Sequence, residues 1–247
     1  MQAIVLCGGK GTRLSALYAD RPKILAPVAG RPFIEWQFDW LAHGGVTDIH
    51  LAGGHLADVL RCWMETRCLN LNTSQAIYSI RCSEIDLRVT LSKETYPLGT
   101  GGGLKFVEPF IKSDPFFVIN GDSLIPSLNF GAMADQHVES GGGATLAVTR
   151  IEEAGRYGTV EFNESLRITA FREKASRVGG WVNGGVYLMA RIILANIQPE
   201  TTVSIETELF PALAEQGGLH AFITQPPLLD MGTPEGIGNM TTYMCGQ

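Results

Sequence analysis

The chain lacks the features that would place it in several large classes. It has no CxxC pair and no cysteine–histidine cluster. Its five cysteines, Cys7, Cys62, Cys68, Cys82 and Cys245, are odd in number and scattered. That pattern argues against a disulfide framework or a zinc site, and makes reduced thiols in a cytoplasm the expectation. Long apolar runs are missing too: FFVI at 116–119 is typical, and far too short for a bilayer. The start, MQAIVLCGGKGTR, carries no basic n-region and loses its apolar stretch after five residues, so it does not read as a signal peptide. Charge is sparse, at 18% of residues with a net −6 and no run of one sign. Neither a nucleic acid nor a membrane is therefore an expected partner. An anion could still be bound, provided the few cations are concentrated in one place.

What the chain does have is a clear order of elements. QAIVLC (2–7) is a continuous apolar run ending at glycine, the pattern of a parallel strand buried on both faces. PFIEWQFDWLAHGG (32–45) begins at proline and closes on glycines. Ile34, Phe38 and Leu41 recur at helical spacing, with Phe33, Trp36 and Trp40 widening the stripe. DIHLAGG (48–54) reads as a strand, and FFVINGD (116–122) as another with a turn at its carboxyl end. In the second half GATLAVT (143–149), YGTVEF (157–162), RITAF (167–171) and WVNGGVYLM (181–189) are strand-like with few helices between them. A helix is expected over 204–216, kinked or shortened by Pro211. This predicts an α/β chain with a three-layer, doubly wound, mostly parallel sheet and a mixed extension, forming one domain over 1–247. Residues 61–85, which hold three of the five cysteines, show no clean period and carry no functional reading.

The chemistry starts at LCGGKGTRL (6–14), where a strand runs into Gly8, Gly9 and Gly11 with Lys10 and Arg13 beside them. Backbone N–H groups between a strand and a helix cradle anions, bare glycines let a ligand approach, and arginine offers paired donors to phosphate oxygens. The pattern points to a polyphosphate; the alternative is a tight turn with solvated cations. Two common phosphate loops are excluded. GxxxxGK[ST] is absent, and Leu14 stands where a dinucleotide fingerprint needs its third glycine or alanine.

Ten residues after Arg13, RPKILAPVAGRP places Lys23 between Pro22 and Pro27. Together with LCGGKGTRL this resembles the sugar nucleotidyltransferases, whose pattern is roughly GGxGTRL, PKPL and PVxGKP. Ile24 and Arg31 depart from it without removing a catalytic charge. The resemblance continues in order through ETYPLGTGGGL (94–104), NGDSL (120–124), RYGTV (156–160), FREK (171–174), WVNGGVYLM, SIETELFP and LDMGTPEG (229–236). It implies a Rossmann-like, GT-A-like nucleotidyltransferase fold, with about 1–125 mainly nucleotide-binding and about 126–247 mainly sugar-phosphate-binding. No β-helix is expected at the C-terminal end. The implied reaction joins a nucleoside triphosphate to a sugar 1-phosphate with Mg²⁺, releasing pyrophosphate.

Carried over residue by residue, Arg13, Lys23 and Asp122 are catalytic. Leu6, Gly8, Gly9, Gly11, Thr12 and Arg13 bind the nucleotide, with Gly8, Gly9, Gly11 and Thr12 around the triphosphate and Arg13 on its β- and γ-phosphates, and Leu98, Gly99 and Thr100 meet the base. Gly158, Glu173, Lys174, Asn183 and Glu206 grip the sugar phosphate, and Asp122 and Asp230 bind the metal. By residue type alone, Asp122 could instead form a turn and Asp230 could cap the next helix. PLGTGGGLK, FFVINGDS, RYGTV and NGGVYLM are most similar to D-glycero-α-D-manno-heptose 1-phosphate guanylyltransferases, which implies GTP and a role in bacterial surface glycans. Hexose 1-phosphates with GTP, UTP or dTTP, including mannose 1-phosphate, stay open, as do a catalytically inactive nucleotide-sugar sensor and a homo-oligomer.

Overall fold

Four apolar runs, Gln2–Cys7, Asp48–Gly53, Ile85–Lys93 and Phe116–Asn120, lie side by side and parallel. The computed structural model describes residues 1–14, 17–72, 76–82, 84–152, 157–172 and 179–246. Among these the sheet runs in the order Ile168–Arg172, Thr159–Phe162, Gly180–Met189, Phe116–Asn120, Gln2–Cys7, Asp48–Gly53, Ile85–Lys93, Ile77–Cys82, Asn70–Asn72. Ala144–Ile151 also pairs with Gly180–Met189, antiparallel, and with Leu219–Ile223, parallel. The expected mixed extension is therefore present, joined where Gly180–Met189 runs antiparallel to Phe116–Asn120.

Helices cover both faces. On one lie α1 (Phe33–His43), α2 (Ala57–Arg67), α4 (Phe130–Ser140) and α6 (Pro234–Cys245). On the other lie α3 (Gly99–Val107) and α5 (Phe210–Glu215). Alternation along one strand shows the division: Ala3 and Val5 join the first core, and Ile4 the second. That double burial is why the central strands read as unbroken apolar runs. Phe33, Ile34, Phe38 and Leu41 bury the inner stripe of α1. Truncating a buried phenylalanine of this kind to alanine costs about 3–5 kcal/mol.

The described residues of 61–85 form the end of α2, then Asn70–Asn72 and Ile77–Cys82, antiparallel strands that extend the sheet edge. The α2 stripe is narrow, with Ala57, Leu60 and Met64 buried, and Ile77–Cys82 buries Tyr78, Ile80 and Cys82 in alternation. All five cysteines are free.

The segment expected to kink at Pro211 is a π-turn, Ile205–Leu209, running into α5. Proline cannot donate within a helix, but it is accepted in the first turn, where that donor would be idle anyway. The π-turn ends so that Pro211 falls in that first turn of α5. No helix among the described residues is long and apolar enough to cross a membrane.

His50, fully buried on Asp48–Gly53, exchanges hydrogen bonds with Thr90 Oγ1 (2.8 Å) and Ser92 Oγ (2.9 Å) and stacks on Phe110. Burial pulls its pKa down to about 4, with Asp48 opposing and Lys112 assisting. The unfolded chain, titrating near 6.5, binds the proton first, so stability rises with pH between about 4 and 6.5 and this contribution is lost as pH falls through that window. The expected size is of order 3 kcal/mol. Urea unfolding across that range should show the slope, and His50→Gln should flatten it.

Candidate active site

The four parallel strands end in register, Cys7 beside Gly53 and Gly53 beside Lys93, with Leu6 beside Asn120. Ligand sites in open α/β sheets form beyond such carboxyl ends. Here a cleft of about 720 Å³ opens between Leu6–Gly11, Ala52–Leu56, Ser92–Pro97 and Asn120–Asp122, joined by Lys23, Gly99, Thr100, Gly103 and Phe106.

Gly8 and Gly9 leave the first strand here. A Cβ at Gly9 would touch no protein atom within 4 Å, so its bareness faces open space. Gly11 has φ +58°, the left-handed region that glycine enters freely, and this turn sets its Cα against the Lys23 stem. Thr12 and Arg13 follow, both exposed. Lys23 opens a short 3₁₀ turn, Lys23–Leu25, anchored by Ile24 and Leu25 in the core. Burial therefore explains the isoleucine at position 24.

From that turn the Lys23 ammonium reaches the Asp122 carboxylate in a close ion pair. Asp122 sits in the turn after Phe116–Asn120. Ser123 Oγ donates to its Oδ1 (3.1 Å), and Met231 N donates to its carbonyl (2.9 Å). The second bond belongs to the antiparallel pairing of Ser123–Leu124 with Leu229–Asp230, which brings Asp230 alongside. A Cβ at Gly232 would stand 2.9 Å from Asp230 Oδ1 and 3.6 Å from Arg13 Nη2, so Arg13 closes the circle. Arg13, Lys23, Asp122 and Asp230 therefore share one region.

Asp230 is not the cap of α6. Thr233 is, accepting from Gly236 N at 3.0 Å, while Asp230 Oδ1 accepts from Gly232 N at 2.7 Å. Two hard carboxylates, Asp122 lining the cleft and Asp230 on the strand paired beside it, suit a divalent ion that completes its shell with phosphate and water. Among the described residues no cluster of three or more His, Cys, Asp or Glu could hold a metal by itself.

Sequence reasoning passed over Glu94, which follows the third parallel strand. Its Oε1 would be 2.9 Å from a Cβ at Gly8 and 2.5 Å from one at Gly54, and its Oε2 lies 3.8 Å from the Cβ position of Gly103. One carboxylate thus stands among three glycine segments. Burial raises its pKa, opposed by a hydrogen bond from the Leu98 amide. The only signal for it in the sequence was GG at 53–54, whose glycines make room for it. Cys7 is next to Gly8, but burial, aided by Glu94, pushes its thiol to about 12, and Sγ donates to Ala52 O. It is therefore no nucleophile.

The second glycine segment serves packing as well as the cleft. Gly99 has φ +72°, and a Cβ there would fall 2.5 Å from Val203 O. Leu98 is buried and lines a neighbouring hollow instead of the main cleft. Thr100 Oγ1 donates to Glu206 Oε2 (2.7 Å), which also accepts from Ser204 Oγ (3.1 Å). Asn183 N donates to Gly158 O (2.9 Å), so those two positions adjoin. Asn183 Nδ2 donates to the Tyr187 hydroxyl, whose pKa is raised by burial and by Glu206. Glu173 and Lys174 lie outside the described residues.

Fold and site together define an α/β chain of nucleotidyltransferase type, with a cleft beyond the carboxyl ends of its parallel strands. A family model described as Nucleotidyl transferase matches residues 2–244, and the chain belongs to that family. It is 37% identical over 240 residues to a mannose-1-phosphate guanyltransferase of Aspergillus fumigatus, covering 95% of this chain and 62% of that protein. It is 34% identical over 249 residues to the mannose-1-phosphate guanylyltransferase catalytic subunit beta of Xenopus tropicalis, covering 99% and 64%. The chain thus spans somewhat less than two thirds of these relatives' length.

Its fold matches HddC from Yersinia pseudotuberculosis, which was solved alone and with GMP-PN. The TM-score is 0.82 at 24% identity, over 98% of this chain and 99% of that one. The inositol-1-phosphate CTP transferase from T. maritima follows at TM-score 0.71 and 16% identity, over 98% and 95%. The family and the mixed α/β sheet expected from the sequence are both borne out.

Proposed function

We propose that the protein transfers a guanylyl group from GTP to a sugar 1-phosphate of manno configuration. The foremost candidate is D-glycero-α-D-manno-heptose 1-phosphate, and the product GDP-heptose would feed surface-glycan synthesis. The observation that carries this reading is the Lys23–Asp122 pair lining one cleft with Gly8, Gly9 and Gly11. In the reaction a sugar-phosphate oxygen bonds to the α-phosphorus as the bond to the pyrophosphate oxygen breaks. No proton need move, because the nucleophile is already anionic. Two polyanions must be brought together, so fixed amides and cations in a low-dielectric cleft are the main source of rate.

Gly8, Gly9, Gly11 and Thr12 wrap the triphosphate, and Arg13 takes its β- and γ-phosphates. Lys23 exchanges Asp122 for the α-phosphate and the attacking phosphate. Asp122 and Asp230 hold Mg²⁺, which when bound neutralises charge shared by the two phosphates. Gly99 and Thr100 flank the base with Leu98 packed behind, and Leu6, near the end of the first strand, lines the nucleotide side of the cleft. Asn183, Gly158 and Glu206 meet sugar hydroxyls, and Glu173 and Lys174 grip the sugar end and its phosphate. The nucleotide half is about 1–125 and the sugar half about 126–247.

Guanine is favoured by Glu94. A carboxylate offers only acceptors, and guanine alone among the common bases sets N1–H and N2–H₂ donors side by side. Uracil and thymine flank a single N–H with two carbonyls, which a carboxylate repels.

Mannose 1-phosphate is the second reading, supported by the names of the relatives. It shares the ring configuration and lacks one carbon. Such a difference is worth roughly 10- to 200-fold between substrates. A panel of nucleoside triphosphates crossed with sugar 1-phosphates, read by pyrophosphate release with and without Mg²⁺, tests all of this. GTP with the manno-heptose 1-phosphate should rank first, and only with metal. A higher rate with mannose 1-phosphate selects the second reading, and no release from any pair rejects both.

A further inference from the structure

Gln37 stands in the buried stripe of α1 among Phe33, Ile34, Phe38 and Leu41, and is itself 1% exposed. Its amide nitrogen donates to Asn120 O (3.0 Å) and to Ser123 O (3.0 Å), the carbonyls on either side of Gly121 and Asp122. Its own oxygen is buried and receives no hydrogen bond. A buried acceptor left without a donor is unfavourable, and an apolar side chain of this length would avoid that penalty. The amide is therefore kept for what its nitrogen does.

The turn it holds is attached elsewhere too, by Gly121 N to Leu6 O (2.9 Å) and Met231 N to Asp122 O (2.9 Å) in its backbone, and by the ion pair of Asp122 with Lys23. The two backbone bonds fix it to the first strand and to the Asp230 segment. Neither sets how far the turn stands from α1, the direction from which the Gln37 amide pulls.

We propose that Gln37 is a positioning residue. By clamping both shoulders of the Asn120–Ser123 turn, it aims the Asp122 carboxylate at the divalent ion and the reacting phosphates. This rests on the metal role given to Asp122 above. Partners that orient a metal ligand, without touching the ion, carry about 10- to 100-fold in metal affinity or activity.

The test is Gln37→Met, which keeps length and loses both donors. Mn²⁺ binding in the presence of GTP is read from the electron paramagnetic resonance of free Mn²⁺. Steady-state kinetics and a melting curve accompany it. Mn²⁺ affinity and kcat should each fall about tenfold, with KM for GTP little changed and most of the melting temperature retained. If Gln37→Met does not fold, Gln37→His keeps one donor and should show a smaller loss in the same two quantities. Unchanged Mn²⁺ affinity and kcat beside tight wild-type binding overturn the proposal alone. Equally weak binding by wild type and variant overturns the metal role of Asp122, and this proposal with it.

Discussion

Lys23→Ala should lower kcat by about 10²- to 10³-fold while the protein melts within a few degrees of wild type. The two halves of that expectation have separate grounds. Lys23 and Asp122 keep 20% and 24% of their side-chain surface exposed. A pair in contact with solvent contributes on the order of 1 kcal/mol or less to folding, and in a chain of this size that shifts melting by roughly 2–4 °C. In the proposed transition state the same ammonium would face two phosphates in a drier cleft. Losing one preorganised electrostatic partner there costs about 2.7–4 kcal/mol of barrier. KM for GTP should move little, since the glycine loop and Arg13 remain. Near-normal turnover in a folded Lys23→Ala protein would remove the residue from the mechanism.

Glu94→Gln should change which base is used. Guanine loses one of two charge-assisted acceptors and meets an amide N–H₂ where it needs an oxygen. Bonds of this kind are worth about 1.5–3 kcal/mol each, so losing one should lower kcat/KM for GTP about 10- to 10²-fold. Uracil gains, because an amide can both accept from N3–H and donate to a carbonyl, so the UTP-to-GTP ratio rises. The carboxyl is held above its ordinary range by burial. GTP use by the wild type should therefore decline as pH falls through that raised pKa, and the decline should vanish in the variant. A raised carboxylate pKa also means that the ionised group is costly to the ligand-free fold at neutral pH, so Glu94→Gln should melt higher without nucleotide. An unaltered UTP-to-GTP ratio would contradict the role given to Glu94.

The order of these residues in space was only partly legible in the sequence. Strands such as 2–7 and 116–120 were readable because burial on two faces leaves continuous apolar runs, and α1 because its stripe is wide. The α2 helix and the hairpin after it were not, because three buried residues make a weak stripe and Tyr78 and Cys82 disguise the alternation. The meeting of Arg13, Lys23, Asp122 and Asp230 followed from the family resemblance; no spacing could have given it, with Lys23 and Asp122 99 residues apart.

Glu94 and Gln37 show the opposite limit. Glu94 looks like an ordinary loop acid until the strand ends bring Gly8 and Gly54 to it and α3 adds Gly103. Gln37 looks like a stray polar residue in a helix until its amide is seen on Asn120 and Ser123. By residue type Asp230 could likewise have capped α6; Thr233 does so instead, because Asp230 is taken up by a backbone turn that residue type does not specify.

Under the proposed function, one cleft lets a sugar phosphate displace pyrophosphate directly, without the protein ever carrying the nucleotidyl group. Incubation with GTP labelled at the α-phosphorus, a manno-configured sugar 1-phosphate and Mg²⁺ tests it in one reaction. The label should appear in the sugar nucleotide, mole for mole with pyrophosphate, and none should remain on denatured protein. Label held on the protein, or recovered as GMP in place of sugar nucleotide, would contradict the account.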